Sequence, residues 1–152
     1  MRLTEADSRD LPDLVALLGG LFARERDFTP NPEKQMRAPR LILAHPEQGR
    51  LFVLRDRDRA VGMANALFTI STAEGGPVVL LEDVILSDRY RNWGLGRRLV
   101  EHVMDWAREE GFLRVTLLTD GDNHGARRFY ERLGFGSSDM VVYRRRFGEP
   151  QI

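Results

Sequence analysis

The chain has 152 residues, a length that fits one domain with a substantial hydrophobic core. Hydrophobic residues make up 42% of the chain and charged residues 30%, which excludes extensive disorder. Lysine plus arginine and aspartate plus glutamate balance at 23 each, so no overall charge favours nucleic acid or an acidic membrane surface.

The lack of cysteine excludes disulfides, thiolate metal sites and a cysteine nucleophile, and it is compatible with a reducing cytoplasm. Apolar runs are too short to span a bilayer, and residues 1–30 mix both signs of charge instead of forming a signal-peptide core. These features predict a soluble cytoplasmic protein without a membrane or nucleic-acid partner.

The hydrophobic pattern predicts ten helices and strands. A short strand from Arg2 to Thr4 precedes a helix that begins after Asp10 and runs to about Arg26, because Asp10 can cap it and a proline follows in its first turn. Two prolines then force a turn before a second helix, roughly Glu33 to Ala44. The later elements are strands at Leu51–Arg55, Ala60–Ile70 and Val78–Leu86, a helix at Leu95–Glu110, a strand at Arg114–Thr119, a helix between Asn123 and Gly134, and a strand at Met140–Phe147.

This order predicts an α/β (α+β) fold with a mixed sheet. No repeat, low-complexity tract or long linker divides the chain, so we expect one domain over residues 1–152.

The segment from Arg91 to Gly96 joins the strand that ends at Leu86 to the next helix. Its two glycines let the main chain pass close to a ligand, and the helix start offers unpaired N–H groups and the positive end of its dipole. The pattern therefore favours a pyrophosphate site, with an ordinary glycine-rich turn as the alternative.

A second motif follows one helix and one strand later, from Asn123 to Phe135. Together with the segment from Leu81 to Gly96, it resembles the GNAT superfamily of CoA-dependent N-acetyltransferases. The first segment is similar to the family's strand, connector and Arg/Gln-x-x-Gly-x-Gly/Ala loop, with some likeness to diamine and polyamine acetyltransferases. The second is similar to Asn-x-x-Ala-x-x-x-Tyr-x-x-x-Gly-Phe.

The resemblance implies a single GNAT-type domain with a mostly antiparallel, mixed central sheet that is splayed at its centre and flanked by about four helices. It implies acetyl-CoA as acyl donor and no metal. The backbone of Val84 and Leu86 would contact the pantetheine arm, with the Val84 N–H near the thioester oxygen. The implied cofactor-binding residues are Val84, Leu86, Arg91, Asn92, Trp93, Gly94, Leu95, Gly96, Arg97 and Asn123. Asn92 and Trp93 depart from the usual family residues, although asparagine tolerates positive φ.

Two residues are implied as catalytic. Tyr130 matches the family's general acid for the departing thiolate, and a phenol is protonated at neutral pH. The alternative is an aromatic side chain packed in the core beside Phe129. Asn123 has the same double interpretation, as a helix cap or as a cofactor contact.

Glu82 is the best candidate for the general base, because a carboxylate inside an apolar strand is costly to bury without a function. Strand alternation predicts that Glu82, Val84 and Leu86 share one face and that Asp83 faces the other way. A structural ion pair remains the alternative for Glu82, and Asp83 or water are alternative bases. His124, near the expected cofactor, is a weaker catalytic candidate.

The resemblance implies transfer of an acetyl group to a primary amine of a small acceptor through a ternary complex. The segments Arg24–Asp27 and Thr69–Pro77 would contact the acceptor, and their acidic bias favours a cationic amine. A non-catalytic acyl-CoA-binding or regulatory module, acetylation of a protein N-terminus or lysine, and a Rossmann domain are the alternatives. A homodimer through the terminal strands is implied by family analogy alone.

Overall fold

A computed structural model describes residues 1–25 and 27–148. The chain divides into two compact units, Met1–Leu118 and Thr119–Ile152, and the described residues of each are taken in turn. The first unit holds a five-stranded sheet and three α-helices, and the second holds one α-helix.

Two helices follow the first strand. Helix α1, Leu11–Phe22, has a proline in its first turn and buries Leu14, Leu17 and Leu18 at helical spacing. It ends before the predicted boundary, and Arg26 lies outside the described residues. Helix α2, Pro32–Ala44, begins where predicted, because the Asn31 side chain accepts a hydrogen bond from the Lys34 N–H at 3.3 Å.

The sheet has the strand order β1-β2-β3-β4-β5. The first four strands pair antiparallel in sequence, and β5 pairs parallel with β4, so the sheet is mixed and mostly antiparallel as predicted. The strands are β1 Arg2–Glu5, β2 Gly49–Asp56, β3 Arg59–Ser71, β4 Gly76–Leu86 and β5 Val115–Leu117. Helix α3, Leu95–Glu109, provides the crossover that a parallel pair requires.

Each face of the sheet carries its own apolar layer. On one face, the buried leucines of α1 pack against Leu51, Val53, Met63 and Ile85 from the three central strands. On the other face, α3 contributes Trp106, whose ring lies 5.1 Å from Phe52 and 5.7 Å from Phe68. Burial of one leucine or phenylalanine side chain contributes roughly 1.5–3 kcal/mol to the free energy of folding. A shift in strand register would expose these side chains, so the two layers stabilise the observed register.

A buried ion pair fixes the start of α1 on β2. Arg55 donates to both carboxylate oxygens of Asp10, at 2.6 and 2.7 Å, and Asp10 is only 3% exposed. Asp10 also accepts from the Asp7 N–H at 2.8 Å. Because two parallel N–H···O bonds define both distance and direction, this pair orients α1 across the sheet.

The second unit contains helix α4, His124–Arg132, which ends near Gly134 at φ 94° as predicted. The prediction of a strand at Met140–Phe147 is wrong, because these residues form no strand in the structure. The predicted strand at Arg114–Thr119 is also shorter, Val115–Leu117. A strand needs a neighbour to pair with, and an apolar sequence pattern does not supply one.

Candidate active site

The segment from Arg91 to Gly96 forms the expected loop between β4 and α3. A short 3₁₀ turn, Asp88–Tyr90, leads into it, and α3 begins at Leu95. Asn92 has φ 65° and Gly94 has φ 74°, so two left-handed residues alternate with Trp93. Such alternation turns successive N–H groups toward one side of the main chain, a geometry suited to an anion.

The start of α3 strengthens this geometry. Gly94 occupies the N-cap position, and no side chain caps the helix start within the described residues. The first N–H groups of an α-helix have no partner within the helix, and the dipole adds positive potential there. The loop and the helix start can therefore bind a phosphate through main-chain groups.

Some side chains around the Arg91–Gly96 loop are buried against the sheet, and others are exposed. Leu95 is 8% exposed and packs with Leu54 and Val61, so it holds the helix start against the sheet. Trp93 is 77% exposed and therefore does not pack in the core. Arg97 pairs with Glu101 on the next helical turn at 2.8 Å.

Arg91 takes part in an exposed cluster around Asp88. Its Nε lies 3.4 Å from Asp88 Oδ1, and Arg24 Nη2 lies 3.0 Å from the same oxygen. Exposed ion pairs contribute little to stability and are readily exchanged for other anions. Arg91 can therefore leave Asp88 for a phosphate at small cost.

The last residues of β4 extend past the end of its pairing with β5. The β4–β5 ladder runs from Val79↔Val115 to Leu81↔Leu117, whereas β4 continues to Leu86. Val84 and Leu86 therefore lie past the end of this ladder. This geometry agrees with the splayed centre expected from the family resemblance.

A β-bulge interrupts β4 at Asp83. Asn65 of β3 pairs with Glu82, and Met63 pairs with Ile85. The two β3 residues are two positions apart, whereas their β4 partners are three positions apart, so β4 contains one extra residue. Asp83 has φ 54°, a left-handed conformation that aspartate tolerates better than most residues. Bulges of this kind re-aim side chains within a strand.

The bulge overturns the predicted arrangement of faces. Glu82 pairs with Asn65, whereas Leu86 pairs with Gly62, and these two β3 residues lie on opposite faces because they are an odd number of positions apart. Glu82 and Leu86 therefore do not share a face. Strict alternation of side chains between the two faces fails here, because the extra residue at the bulge moves the following residues of β4 to the opposite face.

Asp83 and Asn65 form a polar pair between β3 and β4. The Asn65 Nδ2 donates to Asp83 Oδ2 at 3.4 Å, and Asn65 is 5% exposed. Burial raises the pKa of the Asp83 carboxyl, and the Asn65 hydrogen bond opposes that rise. A carboxylate with a raised pKa is a better base than a free one, so Asp83 stays the alternative to Glu82 as the general base.

Sequence reasoning missed Asn65. The signal was an asparagine inside the apolar run from Val61 to Leu67, the same type of signal that singled out Glu82. Only the strand register shows that these two polar residues are cross-strand partners.

The second unit carries Asn123 and Tyr130. The Asn123 Oδ1 accepts from the Ala126 N–H at 3.1 Å, which confirms its role as the cap of α4. Tyr130 packs beside Phe129 and Phe135, with ring centroids 5.0 and 5.7 Å away. Burial raises the pKa of Tyr130 to about 12, so its phenol stays protonated and can donate a hydrogen bond.

The segments expected to contact the acceptor are only partly described. Thr69–Pro77 covers the end of β3, the turn and the start of β4, and Glu74 lies 3.6 Å from Arg114. Arg26, within Arg24–Asp27, lies outside the described residues. His124 is exposed at the start of α4, where no contact assigns it a catalytic role within the described part of the chain.

Comparison with known proteins assigns the family. The model of the acetyltransferase (GNAT) family matches residues 18–135. The chain belongs to the GNAT acetyltransferase family. An aminoglycoside N(6')-acetyltransferase type 1 of Serratia marcescens is 31% identical over 76% of this chain and 82% of that protein. The D-amino-acid N-acetyltransferase HPA3 of Saccharomyces cerevisiae is 34% identical over 57% of this chain and 53% of that protein.

A solved structure agrees with this assignment. A protein from Agrobacterium tumefaciens str. C58 superposes with a TM-score of 0.82 at 25% identity, covering 96% of this chain and 100% of that one. The chain is thus a GNAT-fold enzyme, an acyl-CoA-dependent acetyltransferase.

Residues 1–25 and 27–148 hold neither a membrane-spanning helix nor a metal-binding cluster. No helix there combines the length and the apolar character needed to cross a membrane. No cluster of three or more histidine, aspartate or glutamate side chains in the same residues is arranged to hold a metal ion.

Proposed function

We propose that the enzyme transfers an acetyl group from acetyl-CoA to a primary amine of a small cationic molecule in the cytoplasm. The observation that carries the proposal is the continuous segment from β4 to α3, which joins two acidic residues at a bulge to a main-chain anion site. A thioester donor with a pyrophosphate and an acceptor that must lose protons require both features.

The donor would bind through the loop and the exposed end of β4. Main-chain N–H groups of the segment from Asn92 to Gly96 would bind the pyrophosphate, with Arg91 and Arg97 supplying charge. Val84 and Leu86 would contact the pantetheine arm through their backbone. Trp93, which is exposed, would cover the donor, and Asn123 would contact it through its side chain.

Proton transfer would involve Glu82 and Tyr130. During the reaction the N–C bond forms and the C–S bond breaks, while the acceptor nitrogen loses two protons. Glu82 would accept a proton from the ammonium, directly or through water, and release it to solvent. The sulfur ends with the other proton.

Tyr130 would act mainly as a hydrogen-bond donor to the departing sulfur. A phenol with a pKa of about 12 is a weaker acid than a thiol, whose ordinary pKa is near ~8.5. The phenol therefore stabilises negative charge on sulfur without first becoming a phenolate.

The nature of the acceptor is supported by the relatives. The Serratia marcescens protein acetylates an aminoglycoside and the yeast protein a D-amino acid, as their names state, and both are small amines. The likeness of Leu81–Gly96 to polyamine acetyltransferases adds a third class. All three are cationic or zwitterionic and fit a site with Glu82 and Asp83.

The proposal is tested by thiol release from acetyl-CoA with neomycin, spermidine and D-alanine as acceptors. We expect turnover of at least one, with a loss of kcat of about 10²-fold in Glu82→Gln and in Tyr130→Phe. Glu47→Gln, whose partner is His45, and Tyr143→Phe, an exposed tyrosine, are the matched controls and should retain activity.

A wild-type enzyme that binds acetyl-CoA but releases no thiol with any of these amines would overturn the small-amine proposal. That result would favour an acyl-CoA-binding module or acetylation of a protein. Full activity in Glu82→Gln with loss in Asp83→Asn would instead transfer the role of base to Asp83.

A further inference from the structure

The side chain of Tyr90 is held at both ends just before the Arg91–Gly96 loop begins. Its hydroxyl donates to Asp56 Oδ2 at 2.6 Å, and Asp56 is the last residue of β2. Its ring packs against a buried apolar cluster that includes Leu54 and Leu95. Tyr90 therefore joins the chain that enters the loop to a strand end that is distant in sequence.

The hydrogen bond between Tyr90 and Asp56 has the length of a strong one. An O–H···O distance of 2.6 Å lies in the range found for hydrogen bonds to an ionised carboxylate. This bond raises the pKa of the Tyr90 hydroxyl, so the phenol keeps the proton that it donates to Asp56.

The exit of the loop is held by the same cluster as its entry. Leu95, the first residue of α3, is 8% exposed and packs with Leu54 and Val61. Tyr90 packs against this group from the other side of the short segment Arg91–Gly94. The distance between the two ends of the loop is therefore set by side chains that lie outside it.

The middle of the loop has no comparable support. The side chains of Asn92 and Trp93 are exposed, and Gly94 has no side chain to pack. A main-chain anion site needs successive N–H groups aimed at one point, and such a site tolerates an error of only about 0.5 Å. The aim of these N–H groups therefore depends on where the two ends of the loop are held.

Tyr90 is the side chain that holds the entry of the loop. The Ser87 N–H donates to the Val61 carbonyl at 2.8 Å, which continues the pairing of β4 with β3 by one residue. The chain then turns, and the side chains of Asp88 and Arg89 are exposed. Tyr90 is the residue of this turn that returns to the sheet, through its ring and its hydroxyl.

We propose that Tyr90 and Asp56 are a positioning pair, whose hydrogen bond fixes the entry of the Arg91–Gly96 loop and so sets the affinity of the enzyme for its donor. This inference rests on the proposed function and deepens it by assigning residues outside the loop that control donor binding. Both residues act through the main chain of the loop, without contact with the donor and without a part in proton transfer.

The test compares donor binding in the wild type, Tyr90→Phe and Asp56→Ala. Tyr90→Phe removes the hydroxyl and keeps the ring in the apolar cluster. We expect the Kd of desulfo-CoA, measured by isothermal titration calorimetry, to rise about tenfold in each variant, because a hydrogen bond to a charged group is lost. The kcat at saturating donor and the amine KM, with whichever of neomycin, spermidine and D-alanine reacts fastest, should stay within about twofold.

A conservative variant and a double variant identify the hydrogen bond as the cause. Asp56→Asn keeps an amide oxygen that can accept from the phenol, so its Kd should rise less than that of Asp56→Ala. The double variant Tyr90→Phe with Asp56→Ala should bind desulfo-CoA about as weakly as either single variant, since all three lack the same bond. Two independent effects would instead multiply.

Asp13→Ala is the matched control, because Asp13 ties the same β2–β3 hairpin to α1 and not to the loop. Its carboxylate accepts from Arg59 Nη2 at 2.7 Å and from the Ala60 N–H at 3.0 Å. This variant should lower the melting temperature and leave the Kd of desulfo-CoA unchanged. An equal loss of affinity in Asp13→Ala would overturn the positioning pair, because it would show an effect of hairpin stability alone.

The Kd values separate failure of this pair from failure of the proposed function. A wild type that binds desulfo-CoA, together with wild-type affinity in Tyr90→Phe and Asp56→Ala, would overturn the pair and leave the proposed function standing. A change confined to kcat or to the amine KM would also overturn it. A wild type that does not bind desulfo-CoA would end both proposals. If Tyr90→Phe does not fold, the order of Kd values among wild type, Asp56→Asn and Asp56→Ala decides the question.

Discussion

Asp83 illustrates at the scale of one residue how burial of a carboxyl group affects stability. Burial raises the pKa of its carboxyl in the folded state above the ordinary value of 3.8. Its contribution to folding stability is therefore fully present below the unfolded pKa and is lost as the pH rises through the folded pKa. At neutral pH, the ionised side chain weakens the fold.

We therefore expect Asp83→Asn to be more stable than the wild type at pH 7. The gain is about 1.4 kcal/mol for each pKa unit of the rise, and it should shrink as the pH falls toward the unfolded pKa. Urea denaturation of both proteins at several pH values measures this difference. A wild type that equals or exceeds the variant at pH 7 would contradict the assigned direction of the pKa.

Asn65 and Glu82 show how far single-residue reasoning extends. A carboxylate within an apolar strand marked Glu82 as a candidate functional residue, whereas the same signal at Asn65 was missed. The prediction that Glu82 and Leu86 share a face is wrong, however, and the sequence did not show that Asn65 is the partner of Asp83. Both facts depend on the register between two strands, which no residue specifies alone.

At the scale of elements, the β4–loop–α3 segment is the part of the fold that local sequence specifies best. The strand, the glycines and the amphipathic helix were each predicted, and the helix starts at the predicted Leu95. Its buried residues recur every fourth position, from Leu95 through Leu99 and Val103 to Ala107. Local propensity and periodicity are sufficient here because both act within a few residues.

Gly94 gives a prediction at this scale. At φ 74° an alanine would be strained by about 1–2 kcal/mol, although open space surrounds the position of its Cβ. We expect Gly94→Ala to lower the melting temperature and to raise the KM for acetyl-CoA, because the proposed contacts with the donor are made by the main chain of this loop. Steady-state kinetics and thermal denaturation measure the two effects.

Gly121→Ala is the control for Gly94→Ala, because Gly121 has no left-handed φ and its Cβ would also meet open space. It should change neither quantity appreciably. If Gly94→Ala loses stability but keeps the KM for acetyl-CoA, the loop is an ordinary turn and the donor binds elsewhere.

The final predicted strand shows where local sequence is not sufficient to predict an element. Met140–Phe147 has an apolar pattern typical of strands, but these residues form none in the structure. A helix satisfies its own backbone hydrogen bonds, as the correct prediction of α4 illustrates, whereas a strand depends on a distant partner. The predicted dimer through the terminal strands remains a prediction.

At the scale of the whole molecule, donor binding should be visible as stabilisation. A ligand present at 100 times its Kd stabilises the native state by about 2.7 kcal/mol. For a chain of this size, that corresponds to an increase of about 5–10 °C in melting temperature. We expect this shift with acetyl-CoA and none with NAD, measured by differential scanning fluorimetry.

Desulfo-CoA and adenosine provide the controls for this shift. Desulfo-CoA keeps the pyrophosphate and should stabilise the protein, whereas adenosine lacks phosphate and should not. Equal stabilisation by acetyl-CoA and NAD would contradict a CoA-specific site and return the dinucleotide-binding alternative to consideration.

The sequence by itself determined the family, the mixed α/β fold and the position of the glycine loop between β4 and α3, because these depend on caps, glycines and apolar periodicity over short stretches. The tertiary structure alone decided the bulge at Asp83, the face of Glu82 and the contact between Asn65 and Asp83. Those features arise from pairing β3 with β4 in one register. The proposed donor loop is thus local in sequence, whereas the contact between Asn65 and Asp83 exists only where two strands meet.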